Sequence, residues 1–99
     1  MIIITKTSSD LNELVGDIVE SNVIPGLSKN WLYNAFEPST SASVSVASLD
    51  AHTRVSCTRN MADTNREYSI DIEFRKEGKG EEDIAFLMNK GWDETTTRN

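Results

Sequence analysis

The residues that most constrain this chain are 67–75, where Tyr68, Ile70, Ile72 and Phe74 alternate strictly with Glu67, Ser69, Asp71, Glu73 and Arg75. Side chains on a β-strand point to opposite faces in turn, so this pattern describes a strand with one face in a core and one in water. Such a strand needs antiparallel neighbours and a layer of helices to cover its apolar face. Residues 52–59 repeat the pattern, with Thr53, Val55 and Cys57 set against Arg54, Ser56 and Thr58, and residues 43–49 place Val44 and Val46 among serines. Asp50-Ala51 is the candidate turn between these two, and residues 60–65 are rich in turn formers. With 60–65 as the loop, Arg59 faces Arg66, Val55 faces Ile70, Cys57 faces Tyr68, Arg54 faces Asp71 and Thr58 faces Glu67. A slip of one residue would bury the charges, so only even shifts compete with this register.

The helical period appears elsewhere. Leu11, Leu14, Val15, Ile18 and Val19 form an apolar stripe that predicts a helix over 9–21, with Ser9 as N-cap and Pro25-Gly26 ending the region. Between Ser28 and Pro38, Trp31, Leu32, Ala35 and Phe36 would share one face of a short helix capped by Ser28, although Trp31, Tyr33 and Ala35 also alternate as in a strand. A last helix is expected over 81–90, opened by Glu81, Glu82 and Asp83 and burying Ile84, Ala85, Leu87 and Met88, with Gly91 at C′. Trp92 would fold back onto the core, and residues 93–99 read as a polar tail. The β-branched residues 2–6 add a strand at the N-terminus. The expected fold is α+β: an antiparallel meander of three strands, or four with residues 2–6, under an N-terminal and a C-terminal helix on one face. Residues 1–92 would form its one domain.

Composition narrows the function. An apolar fraction of 37% is too high for a fully disordered chain. A net charge of −6 opposes non-specific binding to DNA or anionic membranes. One cysteine allows no intramolecular disulfide, the N-terminus has no secretory pattern, and no apolar run could span a bilayer. A cytoplasmic setting is the expectation.

No constellation for chemistry stands out. His52 and Cys57 would point to opposite faces of one strand, out of the hydrogen-bond reach a nucleophilic dyad needs. One histidine and one cysteine cannot close a zinc site. Glu67, Asp71 and Glu73, spaced four and then two residues apart on one strand face, are too regular for calcium and read as a solvated face. Gly78-Lys79-Gly80 lacks the spacing of a phosphate loop, and three acids follow it. Arg75, Lys76 and Lys79 form a small basic cluster without interleaved stacking aromatics. No cofactor or metal is implied.

The first helix is more informative. Asp10, Glu13, Asp17 and Glu20 fall within an arc of about 80° that reads as opposite the apolar stripe. No basic residue lies between Lys6 and Lys29. Like charges one turn apart cost a few tenths of a kcal/mol, and Gly16 on the same flank costs about 1 kcal/mol against alanine. An acidic chain must place its acids somewhere, so a solvated face is the plain reading and a surface for a basic partner the functional one. Trp31, Tyr33 and Phe36 offer a second surface; Trp31 and Phe36 read better as core, with Tyr33 balanced between core and interface.

The expectation is therefore a non-enzymatic inhibitor or adaptor that docks on a basic surface of a larger protein, a nucleic-acid-binding channel being one candidate for that surface. Its contact residues would be Asp10, Glu13, Asp17, Glu20, Tyr33, Glu81 and Glu82, with no direct nucleic-acid or membrane contact. In size and charge the chain is similar to phage-encoded inhibitors such as anti-CRISPR and anti-restriction proteins, a likeness that no motif carries. The rival expectation is a small virion or scaffold component, self-assembling as a homodimer or larger array through the strand at 43–49 and the aromatic segment.

Overall fold

Among the described residues, the alternating segments pair into one antiparallel sheet of five strands, accompanied by three helices, an α+β fold. A computed structural model describes residues 1–37, 43–49, 52–60, 67–75 and 80–95. In chain order the elements are β1 (Ile2–Ser8), α1 (Leu11–Ser21), α2 (Lys29–Phe36), β2 (Ser43–Ala47), β3 (Thr53–Asn60), β4 (Glu67–Phe74), α3 (Glu81–Asn89) and β5 (Asp93–Thr95). The sheet order is β2-β3-β4-β1-β5.

The three-stranded meander is present, but it is not the whole sheet. β1 pairs along its full length with β4, Ile4 opposite Ile72 and Ile2 opposite Phe74, and β5 pairs with its other side. Residues 93–95, expected to begin a polar tail, are thus an edge strand, held further by the Thr95 hydroxyl donating to the Ile3 carbonyl at 2.9 Å. The stop at Pro38, the Asp50-Ala51 turn, residues 61–65 of the expected loop, Lys76 and Lys79, and the tail from 96 lie outside the described residues.

The β3–β4 register differs from the expected one by two residues. Val55 lies opposite Ile72, Cys57 opposite Ile70, Arg54 opposite Glu73, and Asn60, assigned above to the loop, opposite Glu67. An even shift keeps each side chain on its face, so the apolar pattern is blind to it. The observed ladder pairs every residue of both strands, and it sets Arg59 opposite Tyr68. The expected one would have set Arg59 against Arg66, a destabilising like-charge pair.

One set of alternating sheet residues (Ile4, Val55, Cys57, Ile70, Ile72 and Phe74) joins Leu11, Leu14, Val15 and Ile18 of α1, Leu32 and Phe36 of α2, and Ile84 and Leu87 of α3 in a common core. Each such side chain contributes roughly 1.5–3 kcal/mol by leaving water. Ala85 and Met88, expected in this core, are exposed instead, because Ile84 and Leu87 already fill the inward side of a nine-residue helix.

Helix ends follow local chemistry. The N-cap of α1 is Asp10, not Ser9: its carboxylate accepts from the Asn12 N–H at 3.1 Å, while the Ser8 hydroxyl accepts from the Asp10 N–H at 3.0 Å and fixes the entry of the chain. Asn22, at φ 60°, supplies the left-handed C-cap residue. Ser28 caps α2 as expected, accepting from the Trp31 N–H at 3.1 Å. At the end of α3, Gly91 (φ 96°) donates to the Met88 carbonyl and Trp92 to the Leu87 carbonyl, each at 3.1 Å, the two bonds of a Schellman motif. That turn delivers the Trp92 ring into the core. No helix among the described residues is long and apolar enough to cross a membrane.

Candidate binding surfaces

The acids of α1 separate into two kinds once the fold is in place. Asp17 is only 8% exposed. One of its oxygens, Oδ2, accepts from the Trp92 indole N–H at 3.0 Å and from Lys6 Nζ at 3.1 Å. Lys6 Nζ also pairs with Glu13 Oε1 at 2.9 Å and donates to the Lys90 carbonyl at 2.7 Å. An ammonium has three donors, and here each has an acceptor. The Lys90 carbonyl is at the negative end of α3, whose last turn holds no basic residue, so a β1 lysine supplies the cation that the helix lacks.

The expectation of four acids in one solvent-facing stripe is therefore corrected at Asp17. At about 100° per residue Asp17 stands only about 60° from Leu14, on the border of the apolar stripe and not opposite it. Strand β1 and Trp92 pull it inward. Glu13 keeps half its side chain in water, and the Lys6 hydrogen bond and charge hold its carboxyl below the usual carboxylate range. The Ser8 hydroxyl also donates to it at 3.3 Å. Asp10 and Glu20 are exposed.

At the other end of the acid set, Glu81 and Glu82 are exposed in the first turn of α3. Partial burial, then the charge of Glu82, raises the Asp83 carboxyl above its usual range. The cap position is Gly80, whose hydrogen atom cannot bond the open N–H groups, so the three acids also complement the positive end of the helix. Tyr33 is half-buried and packs against the core with its ring partly in water.

Trp31 is a further correction. Expected in the core, it is 52% exposed, because Leu32 and Phe36, one turn apart, occupy the inward face of α2 and leave Trp31 on its flank. It borders an apolar groove of about 450 Å³ lined also by Ile24, Leu27, Val46 and Leu49. Leu49, just past the end of β2, is fully exposed. The sequence held a faint signal for this surface: Leu49 breaks the alternation that Val44 and Val46 establish.

Cys57 is 2% exposed in the core, and His52 is half-buried just before β3 begins. Among the described residues no three His, Cys, Asp or Glu side chains gather as a ligand set. No known protein family model matches the chain, and no curated protein or solved structure matches it.

Proposed function

We propose that the protein is a non-enzymatic binding domain, an inhibitor or adaptor that docks on a basic surface of a larger protein. The observation that supports this reading is the division of its acids. Asp17 serves the fold and Glu13 is half engaged, while Asp10, Glu20, Glu81 and Glu82 stay exposed and form no ion pair among the described residues. On a chain of net charge −6 these groups set up a negative field that favours encounter with a basic partner.

A nucleic-acid-binding channel is the basic surface that such a domain would compete for, as phage-encoded inhibitors do. With Asp17 turned inward, α1 offers three acids over about 15 Å of axis, against one phosphate per about 3.4 Å in a strand. The surface would thus work through its summed field and not by matching phosphates one for one.

The test leaves Asp17 untouched. A variant carrying Glu20→Lys, Glu81→Lys and Glu82→Lys should still unfold cooperatively, with Tm lowered modestly by the two lysines at the positive end of α3, and should lose the partner captured by the wild type from host lysate. Capture by the wild type should also weaken steeply with salt and yield to added nucleic acid. A triple variant that holds the partner as tightly as the wild type would overturn the proposal.

A further inference from the structure

We infer that a second copy of this chain docks on the β2 edge, pairing antiparallel with β2 about a two-fold axis at Ser45. The inference is independent of the acidic surface.

The sheet has two edges, and they differ in charge. β5 is three residues long and exposes Asp93 and Glu94, so self-pairing there would bring four carboxylates together. β2 is Ser-Val-Ser-Val-Ala, and residues 38–49 contain no charged residue at all. Natural edge strands are usually blunted by charges, proline or bulges. β2 carries no charge and no proline. Two copies that each bear −6 repel over most of their surface, and this neutral margin is where contact costs least.

Backbone parity gives the register. The Ser48 N–H donates to the Thr53 carbonyl at 2.9 Å, one step beyond the Ala47–Arg54 pair. Hydrogen-bonded and non-hydrogen-bonded pairs alternate along an antiparallel ladder, so residues 44 and 46 turn their N–H and C=O groups toward β3. Residues 43, 45 and 47 turn theirs outward, where no described strand follows. With the two-fold at Ser45, residue 43 pairs with 47 of the second copy, 45 with 45, and 47 with 43. All three are hydrogen-bonded pairs, about six bonds in total. Val44 then meets Val46 of the second copy in the close, non-hydrogen-bonded positions. Both valines already pack against the core, so the apolar face continues across the seam. The groove beside Val46, with Trp31 and Leu49 on its walls, lies at this same margin.

Ser45 is exposed and, among the described residues, its side chain bonds the Ser56 hydroxyl at 3.0 Å, so it can be changed at little cost to the monomer. The two-fold sets this residue opposite itself. Ser45→Glu and Ser45→Lys should therefore each abolish dimerisation, and an equal mixture of the two should restore it. Net charge alone predicts otherwise, since lysine lowers the repulsion between copies. Sedimentation equilibrium up to about 1 mM, where a Kd is still weak, should show wild-type mass rising from 11.0 kDa toward twice that value. Wild type that stays monomeric throughout overturns the inference, as does a dimer indifferent to both charges. Cysteine substitution checks the register without charge. Ser45→Cys should cross-link on mild oxidation, its Cα pair being about 5.5 Å apart. Ala47→Cys, about 14 Å from its own copy, should not; equal cross-linking at 45 and 47 overturns the register.

Discussion

The indole N–H of Trp92 donates to Asp17 Oδ2 at 3.0 Å, tying the C-terminal turn of the chain to the middle of α1 across 75 residues of sequence. With Lys6 on the same oxygen, this bond joins a strand, a helix and the segment after α3 at one carboxylate. Asp17 is thus a structural acid on a helix whose other acids face water.

Asp17→Ala should destabilise the fold by about 2–4 kcal/mol, because it leaves the buried Trp92 indole N–H without its acceptor and takes from the mostly buried Lys6 ammonium one of its two carboxylates. Asp17→Asn keeps an acceptor for Trp92 and should lose about half as much. Glu20→Ala should stay within about 0.5 kcal/mol of wild type, as expected for an exposed site. Urea unfolding monitored by tryptophan fluorescence measures all three. Equal effects at positions 17 and 20 would refute the division of the acids.

Two glycines should respond to alanine with opposite signs. At Gly16 a Cβ would meet only the end of the Lys29 side chain, at 3.9 Å, so Gly16→Ala should gain the ordinary helix preference, about 1 kcal/mol. In a domain of this size that gain raises Tm by about 4–8 °C. At Gly80, φ is 87° and a Cβ would stand 2.5 Å from the Phe74 ring. Gly80→Ala should cost at least about 2 kcal/mol, from left-handed strain plus displacement of a core aromatic. Thermal melts of the two variants decide it.

Much of this fold is legible in local pattern. The alternation at 68–74 marks the buried face of β4, the 3.6-residue stripe marks α1, and Gly91 announces the turn that returns Trp92 to the core. What escaped local reading depends on distant partners or on choices that the period leaves degenerate. Period two cannot separate registers that differ by two residues. A short helix such as α2 has room for two inward side chains, and the sequence does not say that Leu32 and Phe36 displace Trp31. Asp17 shares a wheel sector with Asp10, and only Lys6 and Trp92, brought in by β1 and by the turn after α3, draw it inside.

The Lys6 cluster also fixes how stability responds to pH. Partial burial lowers the Lys6 pKa, but the hydrogen bonds and charges of Glu13 and Asp17 outweigh it and hold the ammonium above 10.5. Its contribution is therefore complete below pH 10.5 and is lost as pH climbs through the raised folded value. Glu13 is held below 4.5, so its contribution is present above pH 4.5 and is lost as pH falls through the lowered value. Asp83 runs the other way: burial and Glu82 raise it above 3.8, so its ionisation as pH rises through that window costs stability. Carboxyl-carbon NMR titration should find Glu13 below and Asp83 above these ordinary values. Lys6→Met should move Glu13 up toward 4.5 and leave Asp83 in place, because Lys6 is not among the causes of the Asp83 shift. Glu82→Gln should lower Asp83 and leave Glu13 unmoved. A Lys6→Met variant in which Glu13 still titrates at its wild-type midpoint would show that Lys6 is not its partner, and the cluster at the end of α3 would have to be redrawn.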